Sequence, residues 1–121
     1  MSVSQNKKSL WKVFATYIKN RDNWTCVTCG RQATGHGMHA GHYVPKGACN
    51  AEYYFHEKNV HAQCYYCNHT LEGNRPAYRK FIINRYGEET LTDLETNYRG
   101  ARPDYPYEEK ICHYKKLNEN F

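Results

Sequence analysis

Apolar residues at Leu10, Phe14, Tyr17 and Ile18 recur at i, i+4, i+7 and i+8, the spacing of one helix face. Ser9 stands before them as an N-cap candidate, and the pattern ends near Arg21 and Asp22, so a helix is predicted over about 9–21. The Gly-rich polar run 30–37 reads as a loop. Met38 to Val44 reads as a short strand stopped by Pro45, followed by a polar loop over 46–58 that holds the aromatic patch Tyr53, Tyr54 and Phe55. A second strand is predicted over 59–63, leading into Cys64. Helical spacing returns from Tyr65 or Cys67 to about Glu72, with Gly73 as its stop. Pro76 suits the first turn of the next helix, whose stripe is Tyr78, Phe81, Ile82 and Tyr86 and whose stop is Gly87. Thr90 and Asp93 mark the start of a helix carrying Leu91, Leu94 and Tyr98, which the segment from Arg99 to Pro103 breaks. A last helix runs from about Pro106 with Tyr107, Ile111 and Tyr114 on one face.

The chain of 121 residues is one domain in length, with 40% hydrophobic and 24% charged residues, an ordinary globular balance. No apolar run approaches the roughly 20 residues of a membrane helix, and the first nine residues are polar and basic, so neither a membrane span nor a secretory signal is expected. Four Phe, two Trp and two Met are too few to line a deep apolar pocket. Twelve Tyr carry most of the aromatic content and keep a polar tip when packed. The net charge of +5 is uneven: residues 1–85 hold twelve Lys and Arg against four Asp and Glu, while residues 86–121 hold five against eight. A basic body with an acidic tail segment suits a polyanionic partner.

Four of the six cysteines form two tight pairs, Cys26-Val-Thr-Cys29 and Cys64-Tyr-Tyr-Cys67. Such pairs aim two thiolates at one point, and two of them supply the four ligands of a structural Zn²⁺. Gly30 after the first pair and Asn68 after the second agree with that turn chemistry. Three disulfides fit less well without a signal peptide, and a redox pair would need a thioredoxin-like βαβ pattern, which the chain lacks. Cys49 and Cys112 are left as ordinary thiols.

Between and after the cysteine pairs lie His39, His42, Asn59, His61 and Asn68. Phosphodiester hydrolysis needs a base near neutral pKa to deprotonate water and a cation to stabilise charge on phosphate and leaving oxygen. Histidine on a hairpin strand and an oxygen ligand on the following helix would supply both. With His42 opening His42-Tyr43-Val44-Pro45, Asn59 17 residues on and Asn68 nine beyond, the set resembles the HNH nuclease motif, a ββα-metal unit clamped by zinc, over about 24–74. The resemblance implies His42 as general base, Asn59 as the residue that fixes the hairpin, and Asn68 as ligand of a catalytic Mg²⁺ or Mn²⁺.

A longer string is similar to the phage NinG family, also called Rap: Ala40-Gly41-His42-Tyr43, Phe55, Asn59-Val60-His61, Gln63-Cys64, Cys67-Asn68, Gly73-Asn74, Tyr78-Arg79 and Arg85-Tyr86-Gly87. The match runs from Tyr17-Ile18 and Arg21-Asp22 to about Tyr98. It implies a recombination endonuclease, phage-encoded and acting in the cytoplasm of a bacterial host. Its substrate would be branched DNA such as Holliday junctions and D-loops, and it would leave 5′-phosphate and 3′-hydroxyl ends. Cutting two strands of a junction would favour a homodimer.

Two departures bear on the metal. Many HNH nucleases carry an acidic or histidine ligand immediately before the base, where this chain has Gly41. The NinG pattern has Asp where this chain has His39, so His39 becomes a ligand candidate, and imidazole for carboxylate would weaken Mg²⁺ relative to Mn²⁺. Glu72, one helical turn after Asn68, is a candidate for the missing carboxylate. His61 and His69 read as residues beside the ligands or on the surface, and His36 as uninformative. Lys46, Arg75, Arg79, Lys80 and Arg85 are candidate DNA contacts of the kind that grips phosphates without reading sequence.

The expected architecture is therefore α+β: a single domain over 1–121 with a zinc-clamped ββα-metal core at 24–74, an N-terminal helix at 9–21 and a helical C-terminal segment at 75–118. The expected activity is metal-dependent cleavage of DNA. Its rivals are a general nicking, homing or packaging-associated HNH enzyme and a zinc-built DNA-binding module without catalysis.

Overall fold

The computed structural model describes residues 2–121. Helix α1 spans Val3–Arg21 and begins earlier than its apolar stripe. Its cap is Ser2, not Ser9: the Gln5 N–H donates to Ser2 Oγ and the Ser2 N–H donates to Gln5 Oε1, a reciprocal capping box. Lys19 and Arg21 sit in the last turn, where the helix dipole favours cations. Leu10, Phe14 and Ile18 are its buried face, each contributing about 1.5–3 kcal/mol of apolar burial.

Strands β1 (Met38–His42) and β2 (Val60–Cys64) form a two-stranded antiparallel sheet, in register from Met38 opposite Cys64 to His42 opposite Val60. β1 ends two residues before the expected Val44. Tyr43 N–H still donates to the Asn59 carbonyl at 2.8 Å, after which Val44 N–H turns to the Asn59 side chain. β2 is shifted one residue onward from the expected 59–63, because Asn59 is used by that turn. Its outer edge is covered: Ala62 N–H donates to Asp22 Oδ2 at 2.8 Å, and Val27 N–H donates to the Ala62 carbonyl at 3.0 Å. Arg21 clamps Asp22 while donating to the carbonyls of Glu57 and Val60, so the end of α1 fixes the sheet edge.

The loop expected over 46–58 contains a short helix α2, Ala51–Tyr54, capped by Asn50 Oδ1 accepting from Tyr53 N–H at 3.1 Å. The loop over 30–37 closes with a 3-10 turn, Gly35–Gly37. The expected helix after Cys64 is a π-helical segment, Tyr66–Thr70, and Asn68 lies inside it instead of turning the chain after Cys67. The turn falls at Gly73, whose φ of 96° favours glycine. Helices α3 (Arg75–Tyr86) and α4 (Glu88–Thr96) follow, then α5 (Tyr107–Asn118). α4 starts at Glu88, ahead of the expected Thr90, because Gly87 at φ 96° joins the two helices directly and Glu88 and Glu89 suit a first turn.

The core has three parts. α5 packs on α1 through Ile111 and Tyr114, with Phe55 and Val60. Tyr43, Val44 and Tyr53 pack with Tyr78 and Ile82 of α3 and Leu91 and Leu94 of α4. Met38 and Ala62 surround the cysteines. The tyrosines serve as bridges, Tyr53 donating to Asp93 and Tyr114 to Glu57, both at 2.8 Å. No helix among the described residues is long and apolar enough to cross a membrane.

Candidate metal centre and catalytic cleft

The two cysteine turns converge. The ligand atoms of Cys26, Cys29, Cys64 and Cys67 all lie within 4.8 Å of one another. Tetrahedral Zn–S bonds of about 2.3 Å set sulfurs roughly 3.8 Å apart, and Cys29 Sγ stands 3.7 Å from Cys64 Sγ. The surroundings suit thiolates: Cys67 N–H donates to Cys64 Sγ at 3.5 Å, Asn74 Nδ2–H donates to Cys67 Sγ at 3.6 Å, and the Thr28 hydroxyl lies 3.1 Å from Cys26 Sγ. Burial raises the Cys26 pKa, but hydrogen bonds from Thr28 and from nearby backbone outweigh it and bring the thiol down to about 6. These four residues can hold a metal such as zinc; Gly30 N–H closes the first turn onto the Cys26 carbonyl, and Gly73 N–H closes the segment after the second pair onto the Cys67 carbonyl. Cys49 and Cys112 stand outside the cluster.

A cleft of about 310 Å³ opens beside this frame, lined by Ala40, His42, Lys46, Asn68, Glu72 and Arg75 among others. His42, the last residue of β1, is 8% exposed. Its ring stacks on Trp11 of α1 with centroids 5.2 Å apart and planes at 18°, and leans on Tyr54 at 4.9 Å. Its Nε2 lies 2.8 Å from the Tyr54 carbonyl. A carbonyl only accepts, so Nε2 carries the proton and Nδ1 keeps the lone pair. Burial, reinforced by the positive charges of Lys46, Arg75 and Lys7, lowers the His42 pKa to about 4, against the pull of the Tyr54 carbonyl. The ring is thus neutral at pH 7, in the tautomer that accepts a proton at Nδ1.

Asn59 is fully buried and ties the surroundings of His42 together. Its Oδ1 accepts from Val44 N–H at 2.8 Å, and its Nδ2 donates to the carbonyls of Tyr53 at 3.0 Å and Val44 at 3.3 Å. Tyr53 adjoins Tyr54, so the strand carrying His42 and the carbonyl that orients it are joined through one amide. Asn68 makes no side-chain hydrogen bond to a protein group among the described residues, and Glu72, at φ 49°, holds a backbone conformation that L residues seldom adopt.

The other candidates separate. His39 does not line the cleft; its ring lies 5.8 Å from Tyr65, burial lowers its pKa, and its Nε2 is buried without a partner. Lys46 and Arg75 reach the cleft, whereas Lys80 and Arg85 border a separate groove with Val27 and Phe81, and Arg79 is exposed on α3. His61, read from sequence as a neighbour of the ligands or a surface residue, is 1% exposed. Tyr78 O–H donates to the Gly41 carbonyl at 2.6 Å, so His61 Nδ1–H donates to the Tyr78 oxygen at 3.0 Å, and His61 Nε2 accepts from Tyr86 O–H at 2.7 Å. Burial drives the His61 pKa down to about 2, and this uncharged relay pins the backbone next to His42. His69 stacks on Tyr65 at 4.8 Å. Sequence reasoning missed Lys7, whose Nζ lies 4.3 Å over the Tyr54 ring, and Trp11, which periodicity assigns only to a helix flank.

Fold and site define the class: a small α+β protein with a two-stranded antiparallel sheet and a four-cysteine site able to hold a metal. The chain belongs to the NinG family, since the family model described as bacteriophage lambda NinG protein matches residues 2–118. Curated relatives include Protein ninG of Escherichia phage 933W, 37% identical over 87 residues, of Escherichia phage lambda at 36%, and of Salmonella phage P22 at 33%. Each alignment covers 71% of this chain and 42% of the relative, so the matched region is less than half of those proteins. No solved structure matches the chain.

Proposed function

We propose that the protein is a divalent-metal-dependent HNH DNA endonuclease acting on branched recombination intermediates. The observation that carries the reading is the His42 ring, neutral, stacked on Trp11, and held by Tyr54 in the tautomer whose Nδ1 accepts a proton, on the same cleft as Asn68 and Glu72. His42 takes a proton from the water that attacks phosphorus in line. Asn59 holds the base and its orienting carbonyl in register. Lys46 and Arg75, with Lys7 close to the base, give the cleft a positive rim for the phosphates on either side of the scissile bond.

Asn68, unspent on other protein groups, and the Glu72 carboxylate fit a hard cation, whereas His39, the further ligand expected from the sequence, lies outside the cleft. When bound, that cation would stabilise charge on the scissile phosphate and the departing 3′-oxygen. Zinc at the four cysteines would hold the frame and stay out of the chemistry. A DNA phosphate beside His42 favours the imidazolium and raises its pKa from the free-protein value, which brings the base closer to its working range. Preference for branches rests on the NinG/Rap resemblance, and a location in the host cytoplasm and a dimer on two-fold junctions follow from the same reading.

The test is cleavage of a labelled four-way junction and a matched linear duplex with Mg²⁺ or Mn²⁺, by wild type and His42→Ala. Junction cutting that disappears in the variant, with zinc and DNA binding retained, supports the proposal. Equal cutting of both substrates favours a general nicking, homing or packaging role. Binding without cleavage under either ion refutes the catalytic reading and leaves a zinc-built DNA-binding module.

A further inference from the structure

Gly41 stands at the position immediately before the base, and the structure gives a reason for a glycine there. A Cβ built on Gly41 would lie 2.0 Å from Gln63 Oε1 and 2.9 Å from Asn68 Oδ1. The first distance is far inside contact, so the space of a residue-41 side chain is already filled by the Gln63 amide, reaching across the hairpin from β2. Gln63 is fully buried. Its Nε2 donates to the Gly73 carbonyl at 2.8 Å and to Thr28 Oγ1 at 3.3 Å, which fixes the amide's orientation and leaves Oε1 turned towards Gly41. That oxygen finds no hydrogen-bond donor among the described residues. A buried amide oxygen without a partner is costly to fold around, a loss expected to persist where the oxygen has another use. Both amide oxygens approach one point, so they lie within about 5 Å of each other, a span one oxygen-ligated cation can bridge.

We infer that Gln63 Oε1 is a ligand of the catalytic divalent cation, paired with Asn68 Oδ1 and replacing across the hairpin the side chain that Gly41 lacks. The inference rests on the nuclease reading for the existence of that cation and adds to it the residue that completes the site. Gly73, whose carbonyl orients Gln63, and Asn68 both line the cleft, so the paired oxygens sit against its wall. Two amides bring no charge, so the site leans on Glu72 and on the DNA phosphate for neutralisation, and the cation binds more tightly with DNA than without it.

The experiment is a Mn²⁺ titration of zinc-loaded protein, read from the loss of the free Mn²⁺ electron paramagnetic resonance signal, with zinc content and melting temperature followed in parallel. Gln63→Met and Gln63→Glu both remove the donor to Gly73, and they differ in whether an oxygen remains. Mn²⁺ affinity should fall tenfold or more in Gln63→Met and be kept or raised in Gln63→Glu. Should both variants unfold, the relocated ligand decides: Gly41→Asp with Gln63→Ala should bind Mn²⁺ at least tenfold more tightly than Gln63→Ala alone. Wild-type affinity in a folded Gln63→Met protein, or no gain in the double variant, overturns the inference while wild-type cleavage of DNA leaves the nuclease reading standing. A wild type that binds Mn²⁺ nowhere and cuts no DNA overturns both.

Discussion

Replacing Asn59 by alanine should destabilise the fold by several kcal/mol while leaving the zinc ligands untouched. The substitution leaves two groups without their partner, the Val44 N–H and the Tyr53 carbonyl, because Val44 O also receives the Cys49 thiol at 3.4 Å. Each buried polar group left unpaired costs about 1–3 kcal/mol, so the loss is roughly 2–6 kcal/mol, a large part of the about 5–15 kcal/mol that holds a domain together. At about 3–5 °C per kcal/mol for a chain of this length, the melting temperature should drop by roughly 6–30 °C. The assay is urea unfolding followed by circular dichroism, with zinc stoichiometric and constant, because metal binding adds to stability. Asn59→Asp sharpens the comparison. It keeps the acceptor for Val44 N–H but sets a buried carboxylate against two carbonyls, which raises its folded pKa. Its stability relative to Asn59→Ala should therefore improve as pH falls from 7 towards 5. A loss below about 1 kcal/mol in Asn59→Ala would show that solvent replaces these contacts and refute the role given to the amide.

Chelation of zinc, or Cys26→Ser, should unfold the sheet and cleft together, read as loss of ellipticity on adding chelator and recovery on adding zinc; an unchanged spectrum would refute the structural role of the four cysteines. The His42 pKa is depressed from 6.5 to about 4 on folding, so its contribution is complete above 6.5, lost as pH falls through about 4, and amounts to roughly 2 kcal/mol of lost stability at pH 5. Wild type should therefore lose more stability than His42→Gln between pH 7 and pH 5 at constant zinc content, and equal losses would contradict the burial argument. Trp11→Ala should raise the His42 titration midpoint towards 6.5, observable in the ring proton shifts, because it opens one face of the imidazole to water; an unmoved midpoint would show that the stack does not set the pKa. Tyr78→Phe should cost about 1–3 kcal/mol by leaving His61 Nδ1 unpaired, and unchanged stability would mean that water fills the gap.

Much of the fold was legible because its signals are local. The pairs Cys26/Cys29 and Cys64/Cys67 needed only spacing, and the stripe Leu10, Phe14, Ile18 needed only period. Errors arose where a boundary depends on something other than apolar periodicity. Residues 3–8 carry no stripe, so α1 was started at Ser9, although Ser2 and Gln5 already spell a capping box. α2 is one turn set by an asparagine cap inside a polar stretch, and the widened π-helical turn around Asn68 has no sequence period to betray it. In the cleft, His42, Asn68 and Glu72 could be named from motif spacing. Gln63 could not be given a task, because its meaning depends on a side chain that Gly41 does not have, and that relation exists only once β1 and β2 are in register.

The stack of Trp11 on His42 limits how far the metal-site segment can be moved. The segment 24–74 holds the cysteines, both strands, His42 and its orienting carbonyl, and would look transplantable. Yet one face of the imidazole is supplied by α1, which is itself braced by α5 at the far end of the chain. Grafted alone onto another scaffold, the segment would carry its four cysteines and lose the ring that keeps its histidine dry. The two ends of the chain are thus part of the upholstery of His42, and trimming either one detunes a residue dozens of positions away.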